Sequence, residues 1–299
     1  MHNYELKPRI FICIHSYRNN NCITALESIF ENAKYPDLLT VCVIQHYDPN
    51  EEFDCVLDSK YNSRIHVERY HYSKSFGRYF ACNLSTKYIH KESFYLSISS
   101  SAYLVQNWDI LLYNQWKLCN NKKAILSMYL KQSDLNNTQR KSNYFLKMKS
   151  PKVICKDSIP IPRVVYSKKK SIPQPIYSIN SDFAFMPIDT IKTVKFDQMI
   201  KYLRPKFGTD MYWSVQLWDK GYVFFSPQLD IAYKHNMYEK KFNIEDFMIT
   251  RKRIIQDEIH RIKYQLTLNY NPLIANTIQI DQYKINKIKA RQFLYNNII

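Results

Sequence analysis

Two apolar segments joined by one amphipathic helix constrain the fold of this chain more than any other feature. Residues 9–17, RIFICIHSY, and residues 38–47, LLTVCVIQHY, both have the pattern of a short buried strand. Between them, the apolar residues of CITALESIFENAKYP recur at helical spacing, and Pro36 marks the exit. A strand, a helix and a strand in this order form a βαβ unit, which predicts a parallel sheet with a site at the carboxyl ends of its strands.

The alternation of strand and helix patterns continues beyond this unit. Further strand patterns lie at 64–70, 94–98 and 124–130, and helical patterns lie at 77–89 and 108–118. Later, FAFMP and GYVFFSP have strand patterns on either side of the helical segment TDMYWSVQLWDK. Regular alternation of this kind predicts an α/β fold.

Two segments depart from the alternation and suggest how the chain is divided. Residues 131–180 are rich in Asn, Ser, Lys and Pro, which predicts a long surface excursion with little regular structure, suited to covering a substrate. After residue 240, apolar residues recur at helical spacing among basic ones. We therefore divide the chain into one α/β domain over residues 1–240 and a basic C-terminal helical extension over residues 241–299.

Charge and glycine content limit the kind of ligand. The 43 Lys and Arg outnumber the 26 Asp and Glu, giving a net charge of +17 that favours anionic partners such as phosphates, nucleic acid or acidic headgroups. Heavy use of Asn, Lys, Ile and Tyr equally fits an AT-rich coding bias, so charge alone does not choose the partner. The chain has only three glycines, Gly77, Gly208 and Gly221, which excludes the glycine-rich dinucleotide and Walker phosphate loops. A bound nucleotide would have to be held mainly by side chains.

The cysteines and the hydropathy pattern indicate a compartment. The seven cysteines are odd in number and include no Cys-x-x-Cys pair, and several fall inside apolar strand patterns. These features predict reduced, buried thiols in a cytoplasmic protein. No apolar run approaches the roughly 20 residues of a membrane span, and the first residues have no signal-peptide pattern, so we expect a soluble protein without a membrane span.

Two basic segments could contact an anionic ligand. HSYRN ends the first strand pattern and brings Ser16, Tyr17 and Arg18 to the binding edge, where tyrosine can stack on a base and arginine can pair with phosphate. An ordinary strand-to-helix turn explains the segment equally well. Residues 64–80 interleave basic and aromatic side chains, which suits a nucleoside diphosphate or single-stranded nucleic acid, although a solvated edge strand is the simpler interpretation.

The segment FGTDMYWSVQLWDKGYVFFSP, residues 207–227, is more specific. It resembles the cytoplasmic polypeptide α-N-acetylglucosaminyltransferases of glycosyltransferase family 60, in which Gly-Glu-Glu, a helix ending in Arg-Leu-Trp, and Gly-Tyr-Asp-Phe-Phe-Ser-Pro follow in this order. It is similar, more distantly, to mucin-type N-acetylgalactosaminyltransferases. IFICIHSYRN, GRYFA, QNWD and YKHNMY are similar to segments of family 60 in the same order. The resemblance implies a GT-A fold, the Rossmann-like α/β domain of nucleotide-diphospho-sugar transferases, and a UDP-sugar donor.

The resemblance also implies which residues bind the donor. Ser16, Tyr17 and Arg18 would line the uridine diphosphate pocket, with Asn19 in the position of an acid of the family. Arg78, in GRYFA, would face the diphosphate or the donor sugar.

Other residues receive acceptor, catalytic or metal roles from the same resemblance. Asp210 would contact the donor sugar or the acceptor and is the candidate catalytic residue. Asn180, Ser181 and Asp182 would lie on the acceptor side, and His235 would complete the shell of a divalent metal ion.

The metal-binding turn of the family is altered in this chain. Its Asp-Ser-His motif follows the fourth strand, and Ser99 and Ser101 occupy the positions of the acid and the histidine. A hydroxyl is a weak ligand for a hard cation, so low affinity for Mn²⁺ or Mg²⁺ is expected. Arg18, Lys74 and Arg78 are the candidates to neutralise the diphosphate instead.

The resulting hypothesis is a GT-A glycosyltransferase that moves N-acetylglucosamine or another hexose from UDP to a hydroxyl group of a protein or glycan. The family implies retention of anomeric configuration. The alternative is a catalytically degenerate relative that serves as a binding or scaffold protein. A nucleic-acid-binding role leaves the order of the motifs unexplained, so nucleic acid is not an expected partner.

Overall fold

A computed structural model describes the chain from residue 7 to residue 234, except for residues 20, 51–54, 56–59, 76, 133–143, 157–158, 177 and 195–207. Only the backbone is described at 144–156, 159–167, 208–209, 211–212 and 215. The helices are α1 (Cys22–Glu31), α2 (Arg78–Ser85), α3 (Trp108–Leu118), α4 (Asp189–Thr193) and α5 (Gly208–Asp219). The strands are β1 (Ile10–Tyr17), β2 (Leu39–Tyr47), β3 (Ile65–His71), β4 (Phe94–Ser99), β5 (Ala102–Leu104), β6 (Ala124–Ser127), β7 (Lys131–Gln132), β8 (Tyr144–Lys156), β9 (Ile159–Lys168), β10 (Gln174–Pro175), β11 (Phe183–Pro187), β12 (Val223–Ser226) and β13 (Ala232–Lys234).

A mixed sheet of eight strands forms the centre of the fold, in the order β10-β12-β6-β11-β4-β1-β2-β3. Strand β1 runs parallel to β2 on one side and to β4 on the other, which confirms the predicted βαβ unit. Strand β11 is antiparallel to both β4 and β6. Because the chain moves from β1 to β2 and β3 on one side and returns to β4 on the other, the strand order reverses at β1. In a sheet of this kind, ligands bind in the crevice at the carboxyl ends of the strands where the order reverses.

The alternation of side chains along β1 explains why helices cover both faces of the sheet. Ile10, Ile12 and Ile14 are buried against α1 and α3, in the same apolar cluster as Trp108. The intervening Phe11 and Cys13 pack with apolar residues of α2 and α5 on the opposite face. A strand buried on both faces has the near-continuous apolar sequence seen here.

Helix α3 is fixed to the end of α1 by the first two residues of its own sequence. The indole nitrogen of buried Trp108 donates a hydrogen bond to the carbonyl oxygen of Ile29, at 3.0 Å. The carboxylate of buried Asp109 accepts hydrogen bonds from the backbone N–H groups of Lys34 and Tyr35, both at 2.9 Å. Asp109 therefore satisfies two backbone donors in the loop that leads from α1 to β2.

Substitution of Asp109 by alanine is expected to lower the free energy of unfolding by about 2 kcal/mol, because two backbone N–H groups lose a charged acceptor. Urea denaturation measures this difference. The matched control is Asp37→Ala, since the Asp37 side chain is 84% exposed and its nearest cation, Arg64, is 3.9 Å away. An equal loss in both variants would contradict the role assigned to Asp109.

The long excursion differs from the prediction made for it. Instead of having little regular structure, it contains β8 and β9, which pair as an antiparallel hairpin. Their register shifts between Lys149 and Ile154, a stretch that includes Pro151, which has no N–H to donate to a partner strand. Within the excursion, β7 belongs to a three-stranded sheet with the order β5-β13-β7, and β10 belongs to the eight-stranded sheet. The predicted helical extension, residues 241–299, lies outside the described residues.

The cysteines differ in part from the prediction that all of them are reduced thiols. Cys22 and Cys55 form a disulfide with a Cα–Cα separation of 5.5 Å, so the expectation that all cysteines are reduced is wrong for this pair. The two residues are 33 positions apart and meet because the start of α1 and the loop after β2 both lie at the carboxyl edge of the sheet. Cys13, Cys42 and Cys82 are buried thiols, as predicted. Among the described helices, none combines the length and hydropathy needed to cross a membrane.

Candidate active site

Two turns meet in the crevice where the strand order reverses. One follows β1 and contains Arg18 and Asn19, and the other is the serine turn, Ser99–Ser101, at the end of β4. The side-chain nitrogen of Asn19 donates hydrogen bonds to the hydroxyl oxygens of Ser100 and Ser101, both at 2.9 Å. Its side-chain oxygen accepts a bond from the backbone N–H of Asn21, at 2.9 Å. Asn19 thus joins the turn of the first βαβ unit to the serine turn.

The serine turn does not fit a divalent metal ion. All three of its serines are buried, and two of their hydroxyl oxygens already accept hydrogen bonds from Asn19. The third, that of Ser99, accepts a bond from the backbone N–H of Ser101, at 3.3 Å. Neutral hydroxyls are weak ligands for Mn²⁺ or Mg²⁺, and no group of three acidic, histidine or cysteine side chains that could hold a metal ion occurs in the described part of the chain. His235 lies outside the described residues.

Arg18 is brought to the crevice by a left-handed backbone conformation, with φ of 44°. Non-glycine residues rarely adopt it, and they do so at a cost of about 1–3 kcal/mol, often at functional sites. The backbone N–H of Arg18 donates to the carbonyl oxygen of His46 at 2.8 Å, and its guanidinium pairs with Asp48 at 3.2 Å. The guanidinium carbon also lies 4.9 Å from the ring centre of Tyr72. The positive charge of Arg18 is therefore partly compensated by Asp48.

Arg78 contacts both sides of the crevice from the first position of α2. The preceding Gly77 has φ of 86°, a conformation that favours glycine and lets the chain turn into the helix. Nη1 of Arg78 donates to the carbonyl oxygens of Ile98, at 2.9 Å, and Ser181, at 3.3 Å. Nη2 pairs with the carboxylate of Asp182, at 2.5 Å. The guanidinium thus links the end of β4 to the loop before β11.

Residues 180–182, predicted on the acceptor side, form the loop that Arg78 contacts. Asn180 is buried, and its side chain donates to the carbonyl oxygen of Met128 and accepts from the backbone N–H of Asp182, both at 3.1 Å. The carbonyl oxygen of buried Ser181 accepts a bond from the hydroxyl of Ser97, at 2.9 Å. The side chain of Asp182 is 33% exposed. Of the three residues, Asp182 is the one whose polar side chain reaches solvent.

Asp210 lies in the first turn of α5, buried behind this loop. Its Oδ1 accepts hydrogen bonds from the hydroxyl of Tyr79, at 2.8 Å, and from the backbone N–H of Ser181, at 3.2 Å. Burial raises the pKa of Asp210 to about 7, because the two hydrogen bonds offset only part of the loss of solvation. Its carboxyl group therefore gains or loses a proton close to neutral pH.

Two histidines beside the crevice were not among the predicted site residues. Nε2 of His15 lies 3.2 Å from Nδ1 of His46, and the ring of His46 packs near those of Tyr17 and Tyr70. Burial lowers the pKa of His46 to about 4. Burial and the charges of His46 and Arg78 lower the pKa of His15 as well, so both rings are neutral at pH 7. The signal was present in HSY and QHY, since each histidine lies near the carboxyl end of a parallel strand.

The remaining predicted donor residues differ in how close they come to the crevice. Ser16 is fully buried and donates to the carbonyl oxygen of Asn19, at 3.4 Å, so it supports the turn. Tyr17 is partly buried beside His46. Lys74 is exposed on the turn of 3-10 helix at Tyr72–Lys74, and the described residues show no contact between it and the serine turn.

The resemblance implies a UDP pocket at this turn, and on that expectation substitution of Asn19 by alanine should weaken UDP binding about tenfold, because Ser100 and Ser101 lose the donor that holds them to the turn after β1. Isothermal titration with UDP measures the change. The control is Asn21→Ala, because both polar side-chain atoms of buried Asn21 lack hydrogen-bond partners among the described residues. Equal UDP affinity in Asn19→Ala and the wild type would show that the bridge does not shape the site.

The sheet order and the crevice where it reverses define a class of proteins, the α/β folds that bind ligands at the carboxyl ends of their strands. The fold is similar to that of GalNAc-T7, solved with UDP, GalNAc and Mn²⁺, with a TM-score of 0.59 and 9% identity over 98% of this chain and 56% of that one. It is also similar to S. aureus TarS, with a TM-score of 0.52 and 12% identity over 97% of this chain and 43% of that one. This chain thus spans about half the length of each, and identities this low show the fold alone.

The family follows from a different comparison. The family model described as glycosyltransferase (GlcNAc) matches residues 9–63 and 55–294. No curated protein matched the chain. The protein therefore belongs to the glycosyltransferase (GlcNAc) family and has a GT-A fold. The narrower resemblance to family 60 and the interpretation of the serine turn as a lost metal site stay predictions.

Proposed function

We propose that the protein transfers N-acetylglucosamine, or another hexose, from a UDP-sugar to a hydroxyl group of a protein or glycan. The observation that carries the proposal is the Asn19 bridge, because it brings the turn after β1 and the serine turn together at the reversal point of the sheet. The family match supports transfer of a sugar. The similar fold of GalNAc-T7, which was solved with bound UDP, supports the choice of nucleotide.

The crevice offers separate surfaces for the base and the diphosphate. We assign the uracil to the end of β1 and β2, where the rings of Tyr17, His46 and Tyr70 lie together. Aromatic side chains bind bases by stacking. We assign the diphosphate to the serine turn, where Arg78 touches the carbonyl oxygen of Ile98. Hydroxyl and guanidinium groups there can donate hydrogen bonds to phosphate oxygens.

Charge compensation at this site would come from side chains. Because the described residues at the serine turn do not fit a metal ion, we assign the negative charge of the departing diphosphate to Arg18 and Arg78, with a smaller contribution from exposed Lys74. The resemblance implies retention of configuration, in which an oxygen of the leaving diphosphate accepts the proton of the acceptor hydroxyl. No dedicated base is needed in that mechanism.

Titration calorimetry and an assay of donor turnover test the proposal together. We expect UDP and UDP-N-acetylglucosamine to bind with and without Mn²⁺, and UDP to be released slowly from the sugar nucleotide in the presence of EDTA. Loss of turnover on EDTA treatment would contradict metal independence. No detectable binding at millimolar UDP would contradict the proposed function and favour a degenerate relative that binds a glycan or a partner protein.

A further inference from the structure

The ion pair between Arg78 and Asp182 blocks part of the surface that the diphosphate would use. The guanidinium has five N–H donors, and the described contacts use three of them, two on Nη1 and one on Nη2. The carbonyl oxygens of Ile98 and Ser181 occupy Nη1, while Asp182 occupies Nη2. A diphosphate at the serine turn would therefore compete with one carboxylate and leave the two backbone contacts in place.

The surroundings of Asp182 allow its side chain to leave this pair without disturbing the loop. Its backbone N–H donates to the side chain of Asn180 at 3.1 Å, and its carbonyl oxygen accepts from the backbone N–H of Ser99 at 2.9 Å. These bonds fix the backbone on both sides of the side chain. The Asp182 side chain is 33% exposed, against 16% for Arg78, so the carboxylate can reach solvent by side-chain rotation.

We propose that the diphosphate of the donor displaces Asp182 from Nη2 of Arg78, and that the released carboxylate then accepts a hydrogen bond from the acceptor hydroxyl. This inference rests on the proposed function and deepens it by assigning Asp182 a role in positioning the acceptor hydroxyl once the donor is bound. A diphosphate carries more negative charge than a carboxylate, so it is the stronger partner for a guanidinium. Asp182 takes no proton in the transfer, and its role is to orient the hydroxyl toward the reacting carbon.

Asp210 does not offer the same exchange. It is buried, and its Oδ1 is held by Tyr79 and by the backbone of Ser181, so an acceptor would have to displace both contacts. Asp182 contacts the guanidinium directly, and its side chain is partly exposed. The loop that the resemblance assigns to the acceptor side thus contains one carboxylate that donor binding can release.

Substitution of Asp182 by asparagine tests the exchange. Asparagine keeps the size of the side chain but removes the charge that competes with the diphosphate, so we expect UDP to bind about three- to tenfold more tightly in titration calorimetry. With UDP-N-acetylglucosamine and water as the acceptor, we expect a lower KM and a kcat reduced about tenfold. Tighter binding together with slower turnover separates this role from a structural one, which would weaken both.

The control variant is Asp37→Asn, which neutralises the acid of another arginine pair, Asp37 and Arg64, at the opposite edge of the sheet. Its UDP affinity should equal that of the wild type. Unchanged or weaker UDP binding in a folded Asp182→Asn variant would overturn the exchange while leaving the proposed function intact. Failure of the wild type to bind UDP would instead overturn the proposed function, and the exchange with it.

Discussion

Replacement of Arg78 by methionine is expected to lower kcat/KM for UDP-N-acetylglucosamine turnover by about 10²–10³-fold, the usual effect of removing a group that stabilises charge in the transition state. Arg78 is the cation that touches the end of β4 at the serine turn, through its bond to the carbonyl oxygen of Ile98. Methionine has a similar length but cannot compensate the charge of the leaving diphosphate. Release of UDP, followed at saturating and at limiting donor, measures the effect on kcat and on KM separately.

Two further variants distinguish charge from packing at this position. Arg78→Lys retains the charge but not the planar guanidinium that bonds Ile98 and Ser181 together, so an intermediate loss is expected. Arg9→Met removes an exposed arginine just before β1, at the amino edge of the sheet, and should leave turnover unchanged. Thermal unfolding shows whether each variant is folded. Wild-type turnover in a folded Arg78→Met variant would rule out Arg78 as a diphosphate ligand.

The central sheet was predictable because most of its strands, and the helices between them, have a recognisable pattern within their own short segments of sequence. Strands such as β1 and β2 are continuous apolar runs, and the helices between strands have apolar residues at helical spacing. A parallel βαβ unit follows from that order alone, and it determines which edge of the sheet holds the site. The structure confirms both β1 and β2 within one residue of the predicted bounds.

The hairpin of β8 and β9 and the disulfide of Cys22 and Cys55 were not predictable by the same reasoning. Prolines and lysines in the excursion obscure the strand pattern, because proline in a segment argues against a strand. The strands form nevertheless, since proline is tolerated at bulges and at strand starts. The disulfide joins residues 33 positions apart, which meet only in the folded chain, where both belong to the same apolar cluster. Both features depend on contacts between distant segments, which a local pattern does not contain.

The same distinction applies within the candidate site. Resemblance identified the segments that meet at the crevice, including Asn19, the serine turn and Arg78. It did not show that Asn19 bonds the serines or that Asp182 neutralises Arg78, because such pairs depend on strand register across the sheet. His15 and His46 were missed although each lies near the end of a strand pattern, since the contact between their rings depends on the parallel pairing of β1 and β2.

Substitution of Asp210 by asparagine is expected to stabilise the protein at pH 8 and to have a smaller effect at pH 5. Burial raises the pKa of Asp210 from 3.8 to about 7, so between these values the folded protein holds a proton that the unfolded chain has lost. Stability from this group is therefore fully present below about pH 4 and is lost as the pH rises toward 7, by about 4 kcal/mol in all. Asparagine is neutral throughout, and its side-chain oxygen can still accept the bonds from Tyr79 and Ser181.

Urea denaturation at pH 5 and pH 8 tests the predicted direction of the change in stability, and Asp230→Asn is the control. Asp230 is also shielded from solvent, but it pairs with Lys131 and Lys169, so removing its charge should destabilise the protein at both pH values. A loss of stability at pH 8 in Asp210→Asn would show that the charged carboxylate is well accommodated. A variant that is more stable but transfers sugar more slowly would show that Asp210 is kept at a cost to stability because the reaction uses it.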